Sequence, residues 1–380
     1  MIAQPTYQAA QTVAAVIAKH FEQHLTEECI KKRQQLAPTP PASVIEAIID
    51  IAFWSSLRRE EGYSPKISLA FIPVERAEQP LMFENRLPLT PTILTKLSPA
   101  VERPGIHLGV WYKQGELFIW GSTRNIPGNC FVLEVIEPGL LVVKHRRLDG
   151  FGKFVNVAIL KGDQVKIVDE RAASLPNYPL IMTSLLGFTT PSAWNNSTNV
   201  LVQLAVSMRA HGRGGCLLVV PSDSKNWRES IIQPMSYPIV PAFSQLADVI
   251  RQEKNATSQN DWLSKLSQTV DGLAGLTAVD GATIINDQYE LLGFGAKIGR
   301  SEKSGRVEQI IVTEPIVGNV PVVVRPTQTG GTRHYSAAQF VYDQREAIAL
   351  VASQDGRFTI FAWSAQEGMV HAHRVDSLLL

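Results

Sequence analysis

The chain is predicted to be an α/β protein, in which a mixed β-sheet flanked by helices follows a β-rich (α+β) N-terminal domain with a helical leader. Three observations predict this. The leader places apolar side chains at helical spacing; residues 65–169 break into short apolar runs punctuated by Gly, Pro and Asn; beyond residue 198, helix-like and strand-like patterns intermingle. The expected boundaries are a leader over 1–62, a β-rich domain over 63–190 and an α/β domain over 195–380. A length of 380 residues suits two domains, and a hydrophobic content of 45% is ample for their cores.

In the leader, Tyr7, Ala10, Val13, Ala14, Ile17, Phe21 and Leu25 fall on one face and predict an amphipathic helix, ended by the Pro-rich segment 37–41. Ser43 stands three residues before Glu46, the spacing of a capping box. Val44, Ile45, Ile48, Ile51 and Ala52 continue as a second helix, and Gly62 closes the leader. The apolar runs 67–73, 106–112, 117–120, 130–136, 140–143, 155–160 and 165–168 then read as antiparallel strands. Turn signals at Lys113-Gln114-Gly115 and Lys161-Gly162-Asp163 separate them. A connector over 172–196 carries Pro176, Pro179 and Pro191. After it, 198–210, 243–254 and 262–273 read as helices, 216–220 as a strand, and the remainder as strands around one more helix at 336–342.

Lys plus Arg number 36 against 35 Asp plus Glu, a formal charge of +1, so no global field draws the chain to nucleic acid or anionic membrane. Any anionic ligand must be held by local charge. Cys29, Cys130 and Cys216 lie far apart without a C-x-x-C pair and read as reduced structural thiols of a cytoplasmic protein. Neither a signal peptide nor a run of about 20 apolar residues is seen, so no membrane association is expected.

Two segments carry chemistry. Asp280-Gly281-Ala282 sits where a helix hands over to a buried strand; a carboxylate there suits a divalent cation or a hydroxyl proton, and Gly281 permits close approach to the backbone. On this segment alone a plain Asp-Gly turn is the simpler reading. Gly330-Gly331-Thr332-Arg333-His334-Tyr335-Ser336 follows a strand and enters a helix. Its unpaired N–H groups, hydroxyl, fixed cation and imidazole suit phosphate.

Together these segments resemble the diadenylate cyclase family, whose hallmarks are D-G-A and G-T-R-H-R motifs. Asp280-Gly281-Ala282 matches the first, and Gly331-Thr332-Arg333-His334 matches the second up to Tyr335, which stands where the family has a second arginine. The likeness covers about residues 195–380, including 209–220, 290–298 and the hairpin 347–363 with its Ser353-Gln354 turn. It implies a diadenylate cyclase-type sheet that binds ATP and joins two ATP molecules into cyclic di-AMP, with two subunits face to face in a homodimer or larger homo-oligomer. It further implies that Asp280 lies by the ribose hydroxyl and a Mg²⁺ or Mn²⁺ ion with His334 as a metal neighbour, and that Thr332, Arg333 and His334 grip the phosphates. Gly281, Ala282, Gly331, Tyr335 and Ser353 would complete the nucleotide site, and the segment from Gly295 to Ile298 would border the adenine. With Tyr335 in place of a cation, a nucleotide receptor with weak or no turnover is the alternative. Residues 98–145 resemble sensor modules of the DACNV type that precede some bacterial diadenylate cyclase domains, implying that an unidentified ligand of the N-terminal domain regulates the cyclase. Relatives that scan DNA carry a helix-hairpin-helix module after the catalytic domain. No basic helical tail follows Trp363, so no nucleic acid partner is expected.

Other features read more simply. Gly293-x-Gly295-x-x-x-Gly299 has one residue too many for a dinucleotide fingerprint and no helix after it. His371 and His373 alternate on a strand and, lacking a third ligand, read as an exposed strand face. Lys144-His145-Arg146-Arg147 reads as a solvated turn, the His211-Gly212-Arg213-Gly214-Gly215 run as a backbone link rather than a phosphate nest, and the seven tryptophans as packing.

Overall fold

A computed structural model describes residues 5–31, 36–146, 154–169, 196–252 and 259–380. The chain divides into two compact units, Met1–Val168 and Asp169–Leu379. Residues 172–195 of the expected connector, with Pro176, Pro179, Pro191 and Trp194, lie outside the described residues, as do Arg147 and the side chains of Leu25 and Cys29.

The first unit opens with helices α1 (Gln8–Lys31) and α2 (Ala42–Ser56). The expected capping box does not form. Pro41, extended at φ −67° and ψ 157°, occupies the N-cap position, which places Ser43 two residues too far into the helix to cap it. The strands are β1 (Ile67–Phe71), β2 (Leu81–Pro88), β3 (His107–Lys113), β4 (Glu116–Thr123), β5 (Phe131–Glu137), β6 (Leu140–Arg146), β7 (Phe154–Lys161) and β8 (Gln164–Ile167), with a short helix α3 (Pro91–Leu97) after β2. They form one sheet in the order β2-β4-β3-β1-β5-β6-β7-β8. The pairing is antiparallel throughout except β1 with β3, which runs parallel and corrects the all-antiparallel expectation.

Side-chain alternation sorts the sheet's residues between two cores. Ile67, Leu69, Phe71, Phe131 and Leu133 join the apolar faces of α1 and α2, with Val13, Ile17, Phe21, Ile45 and Ile48, in one core. Ala70, Ile72, Cys130 and Val132 face the other way, toward Trp120 and Ile126. The leader helices therefore share a core with the sheet. Lys144 and His145 are buried rather than solvated, because β6 continues through them as an interior strand, and Lys144 Nζ pairs with Glu134 at 2.5 Å.

In the second unit β9 (Gly215–Val220), β10 (Tyr237–Phe243), β11 (Ala282–Asn286), β12 (Leu291–Ala296), β13 (Ile310–Thr313), β14 (Val322–Val324), β15 (Ile348–Ala352), β16 (Phe358–Ser364) and β17 (Met369–Arg374) form a sheet. Its order is β10-β12-β11-β9-β15-β16-β17-β13-β14, with β9–β11 and β13–β17 parallel and the other pairs antiparallel. Both faces are covered. Leu217 and Val219 of β9 pack with α4 (Asn196–Ala210), α5 (Gln245–Gln252) and α6 (Gln259–Leu276) through Leu204, Met208, Val249, Leu266 and Val270. Cys216, Leu218 and Val220 pack on the opposite face with Ala337, Phe340 and Val341 of α7 (Thr332–Asp343). The result is the mixed sheet flanked by helices that the pattern predicted.

His371 and His373 are buried, 7% and 0% exposed, because β17 is an interior strand between β16 and β13; the expected exposed face is corrected. His373 Nδ1 lies 2.7 Å from Thr313 Oγ1. Burial pushes the His373 imidazole down to about 3, and neighbouring His371 adds to the fall. The unfolded chain binds a proton at this position below its ordinary value of 6.5, whereas the folded chain does not until about 3, so acid favours unfolding across that window. Denaturant unfolding should show stability falling between these pH values by on the order of 5 kcal/mol. The fall should be shallower in His373→Gln, and equal slopes in the two chains would refute the assignment.

Candidate functional site

Strand directions decide where the site sits. Strands β9 and β11 are parallel, and β12 and β15 run antiparallel to them. The starts of β9 and β11 and the ends of β12 and β15 therefore meet at one end of the sheet. At that end lies a cavity of about 570 Å³, within the range typical of small-molecule sites. Its lining includes Asp280, Gly281 and Ala282 at the start of β11, Ala296, Lys297 and Ile298 after β12, Gly331 to His334 and Ser336 at the start of α7, and Ala352, Ser353 and Gln354 after β15.

The Asp-Gly-Ala segment and the Gly-Thr-Arg-His segment, separated by some fifty positions, thus face one cavity. Asp280 follows the turns that end α6, where Ala278 N–H donates to Gly275 and Val279 N–H to Leu276. Its side chain is exposed and hydrogen-bonds to no other described residue. Gly281 adopts φ +102°, and a Cβ there would stand 2.5 Å from the Gly295 carbonyl carbon. Both the left-handed backbone and the close approach require glycine. Gly281→Ala should destabilise the fold by about 2–4 kcal/mol, from backbone strain plus overpacking. A drop in Tm of several degrees would show it, and an unchanged Tm would contradict the packing described. Gly295 does not line the cavity; it supports Gly281 from β12 while the Tyr237 ring covers its other side.

Helix α7 begins four residues earlier than its expected start at Ser336, so Thr332, Arg333 and His334 form its first turn rather than a preceding loop. Gly331 is the N-cap at φ −75° and ψ −168°, and no side chain caps the helix. His334 and Tyr335 N–H groups donate to the Gly331 carbonyl, while the N–H groups before them have no acceptor within the helix. The positive end of the helix is therefore directed at the cavity. Arg333 is half-buried, and its Nη1 lies 3.1 Å from where a Cβ on Gly214 would stand, beside the Ala352 carbonyl and Gln354. Among the described residues no carboxylate pairs with it. Arg209, by contrast, donates to the Gly356 and Leu379 carbonyls.

His334 is only 3% exposed; its Nε2 lies 3.3 Å from Thr359 Oγ1 and its ring meets Phe361 edge-on. Burial holds the imidazole below its usual 6.5; Asp355 opposes the fall, and Arg374 and Arg357 add to it. At neutral pH it is an uncharged ring, unlike the cation beside it. Tyr335 does not line the cavity and packs against the apolar cluster beneath α7. Ser353 does line it, in a hairpin turn where its N–H donates to Arg357 and its carbonyl accepts from Gly356. Cys216 forms part of the buried wall; burial pushes its thiol up to about 12 despite the opposing Arg333 charge, so it stays a protonated thiol.

Among the described residues no three His, Cys, Asp or Glu side chains gather as a metal cluster. One free carboxylate opening on a cavity that Arg333 and the start of α7 also line fits a cation of the Mg²⁺ type, which takes few protein ligands and completes its shell with phosphate oxygens and water. Sequence reasoning gave Ser336 and Cys216 no place in the site and included Lys297 only within the 295–298 segment expected to border the adenine. Ser336 and Cys216 sit within ordinary helix and strand patterns, and a lone lysine after a strand carries no motif. The Gly212 to Gly215 run makes a linking turn, in which His211 Nε2 lies 3.2 Å from Thr277 Oγ1 and Arg213 N–H donates to His211 Nδ1.

Residues 34–124 match the family model described as Probable sensor domain DACNV. The match spans α2, β1, β2, α3, β3 and β4 of the first unit. It shares residues 98–124 with the stretch expected to carry the sensor likeness and lies mostly upstream of it. No curated protein matches the chain. No helix among the described residues is long and apolar enough to cross a membrane.

Proposed function

We propose that residues 195–380 form a diadenylate cyclase domain, which joins two ATP molecules into cyclic di-AMP under the control of a sensor domain within 1–190. The observation that carries this is the meeting of Asp280, Arg333 and the α7 N-terminus on one cavity, with both charged side chains unengaged by described protein groups. The DACNV match supports the regulatory half, being a sensor module of the kind associated with such cyclases.

In the proposed reaction, the 3′-hydroxyl oxygen of one ATP attacks the α-phosphorus of a second ATP held by a facing subunit. The bond from that phosphorus to the bridging oxygen breaks and releases pyrophosphate; the same step in the opposite direction closes the ring. Each subunit holds one nucleotide, so a homodimer or larger homo-oligomer is required. Such transfer depends on positioning and on neutralising charge. Thr332 N–H and Oγ1, Arg333 and the helix end would bind the phosphates, and Asp280 would orient the hydroxyl and take its proton. Asp280 would also hold a Mg²⁺ or Mn²⁺ ion, which supplies further neutralisation. His334, neutral and packed on Thr359, would position the first turn of α7 rather than bear charge. Ala282, Ile298 and Ser353 would border the nucleotide.

Incubating the protein with ATP and Mn²⁺ and analysing products by mass tests the reaction: cyclic di-AMP and pyrophosphate are expected. A nucleotide receptor is the second reading, favoured by Tyr335, which leaves the first turn of α7 a single cation; ATP binding without product would select it. Regulation has its own test. A chain beginning near Trp194 should make cyclic di-AMP at a rate different from the full chain, and equal rates under all conditions would remove the sensor's role.

A further inference from the structure

We infer that Lys297 is the second phosphate-binding cation of the cavity and makes it selective for a polyphosphate ligand; this rests on the nucleotide reading of that cavity. The cavity's charged lining consists of Asp280, Lys297 and Arg333. His334, buried and held below its ordinary value, adds no charge at neutral pH. If Arg333 acted alone, its charge would be cancelled by Asp280, and a polyanion would meet a neutral site. With Lys297 the site carries a surplus positive charge.

Lys297 is placed for this by the sheet. It directly follows β12, and its carbonyl accepts from Ile232 N–H at 2.8 Å, which fixes its backbone against the segment before β10. Its side chain is exposed, and among the described residues no carboxylate lies within ion-pair distance of it. Most surface lysines face open solvent, whereas this one lines the same cavity as Arg333. The two cations stand on different walls. Arg333 lies over the adjacent ends of β9 and β15, while Lys297 leaves β12, with β11 between β12 and β9. At roughly 4.8 Å per strand, the end of β12 that carries Lys297 stands about 10–14 Å from the β9 and β15 ends beneath the Arg333 guanidinium, with Asp280 between them at the start of β11. Two separated cations around one carboxylate suit a chain of phosphates bridged by a divalent ion better than a single phosphate.

The test measures binding of ATP and of adenosine to the full chain with Mg²⁺, for the wild type, Lys297→Met and Lys297→Arg, over a range of salt concentration. The wild type should bind ATP much more tightly than adenosine. Lys297→Met should weaken ATP about tenfold, leave adenosine within about twofold and flatten the salt dependence of ATP binding; Lys297→Arg should stay within about twofold of wild type. Thermal unfolding of each variant confirms that an exposed substitution leaves the fold intact. If Lys297→Met binds ATP as the wild type does, or weakens ATP and adenosine alike, Lys297 is not a phosphate ligand although the nucleotide site stands. If the wild type binds neither ligand, both the inference and the nucleotide reading fall.

Discussion

Asp280→Asn should lower cyclic di-AMP formation at least about 10³-fold while leaving ATP affinity within about tenfold. The substitution keeps the side chain's size and removes only its charge. Since Asp280 is exposed and hydrogen-bonds to no other described residue, the variant should fold with an unchanged Tm, and the loss can be assigned to chemistry. On the proposed mechanism two contributions would vanish together: the acceptor for the attacking hydroxyl's proton and the one carboxylate in the cavity's described lining that would contact a divalent ion. Steady-state product formation with Mn²⁺, beside direct ATP binding, separates turnover from affinity. Turnover within tenfold of wild type would show that the carboxylate takes no part in the reaction.

The second large effect is expected at Arg333. On the proposed reading Arg333→Met should weaken ATP binding about 100-fold, because a half-buried guanidinium with no described protein counter-ion would make a charge-assisted, bidentate phosphate contact that the thioether cannot make. Folding should not suffer. Removing an unpaired, half-buried charge relieves a desolvation cost, so the variant's Tm should equal or exceed that of the wild type. This gain of stability with loss of binding is the signature of a residue held ready for a ligand. A fall in Tm together with unchanged ATP affinity would mean that Arg333 serves the fold instead.

The interior of the fold was legible because its strands are short apolar runs between turn residues, and because α4 and α6 carry apolar stripes that the sheet buries. What escaped was the periphery. Strands β2 and β10 are edge strands with mostly exposed residues, so no buried alternation marks them, and Pro238 and Pro241 in β10 argue against a strand by the ordinary rule. Burial of His371, His373, Lys144 and His145 was misread for a related reason. Polar residues on interior strands are indistinguishable from a solvated face until the strand order is known.

At the site, the two motifs were visible, but their relation was not. The parallel pairing of β11 with β9, and the reach of Arg333 from α7 over the ends of β9 and β15, bring residues 280 and 333 to one cavity. The start of α7 was misplaced because Gly330-Gly331 reads as a loop, whereas Gly331 serves as an N-cap and the three polar residues after it are helical. Tyr335 shows the limit of motif comparison. In the fold it packs beside the apolar cluster under α7, and the neighbouring charge at the cavity comes from Lys297 on another element.

The most direct test is amide hydrogen exchange of the full chain with and without ATP and Mg²⁺. Protection is predicted to concentrate at 277–284, 296–299 and 330–337, three segments distant in sequence that surround one cavity. Protection confined to another part of the second unit, such as the apolar cleft between α5 and α6 lined by Leu246, Val249 and Leu273, would contradict it.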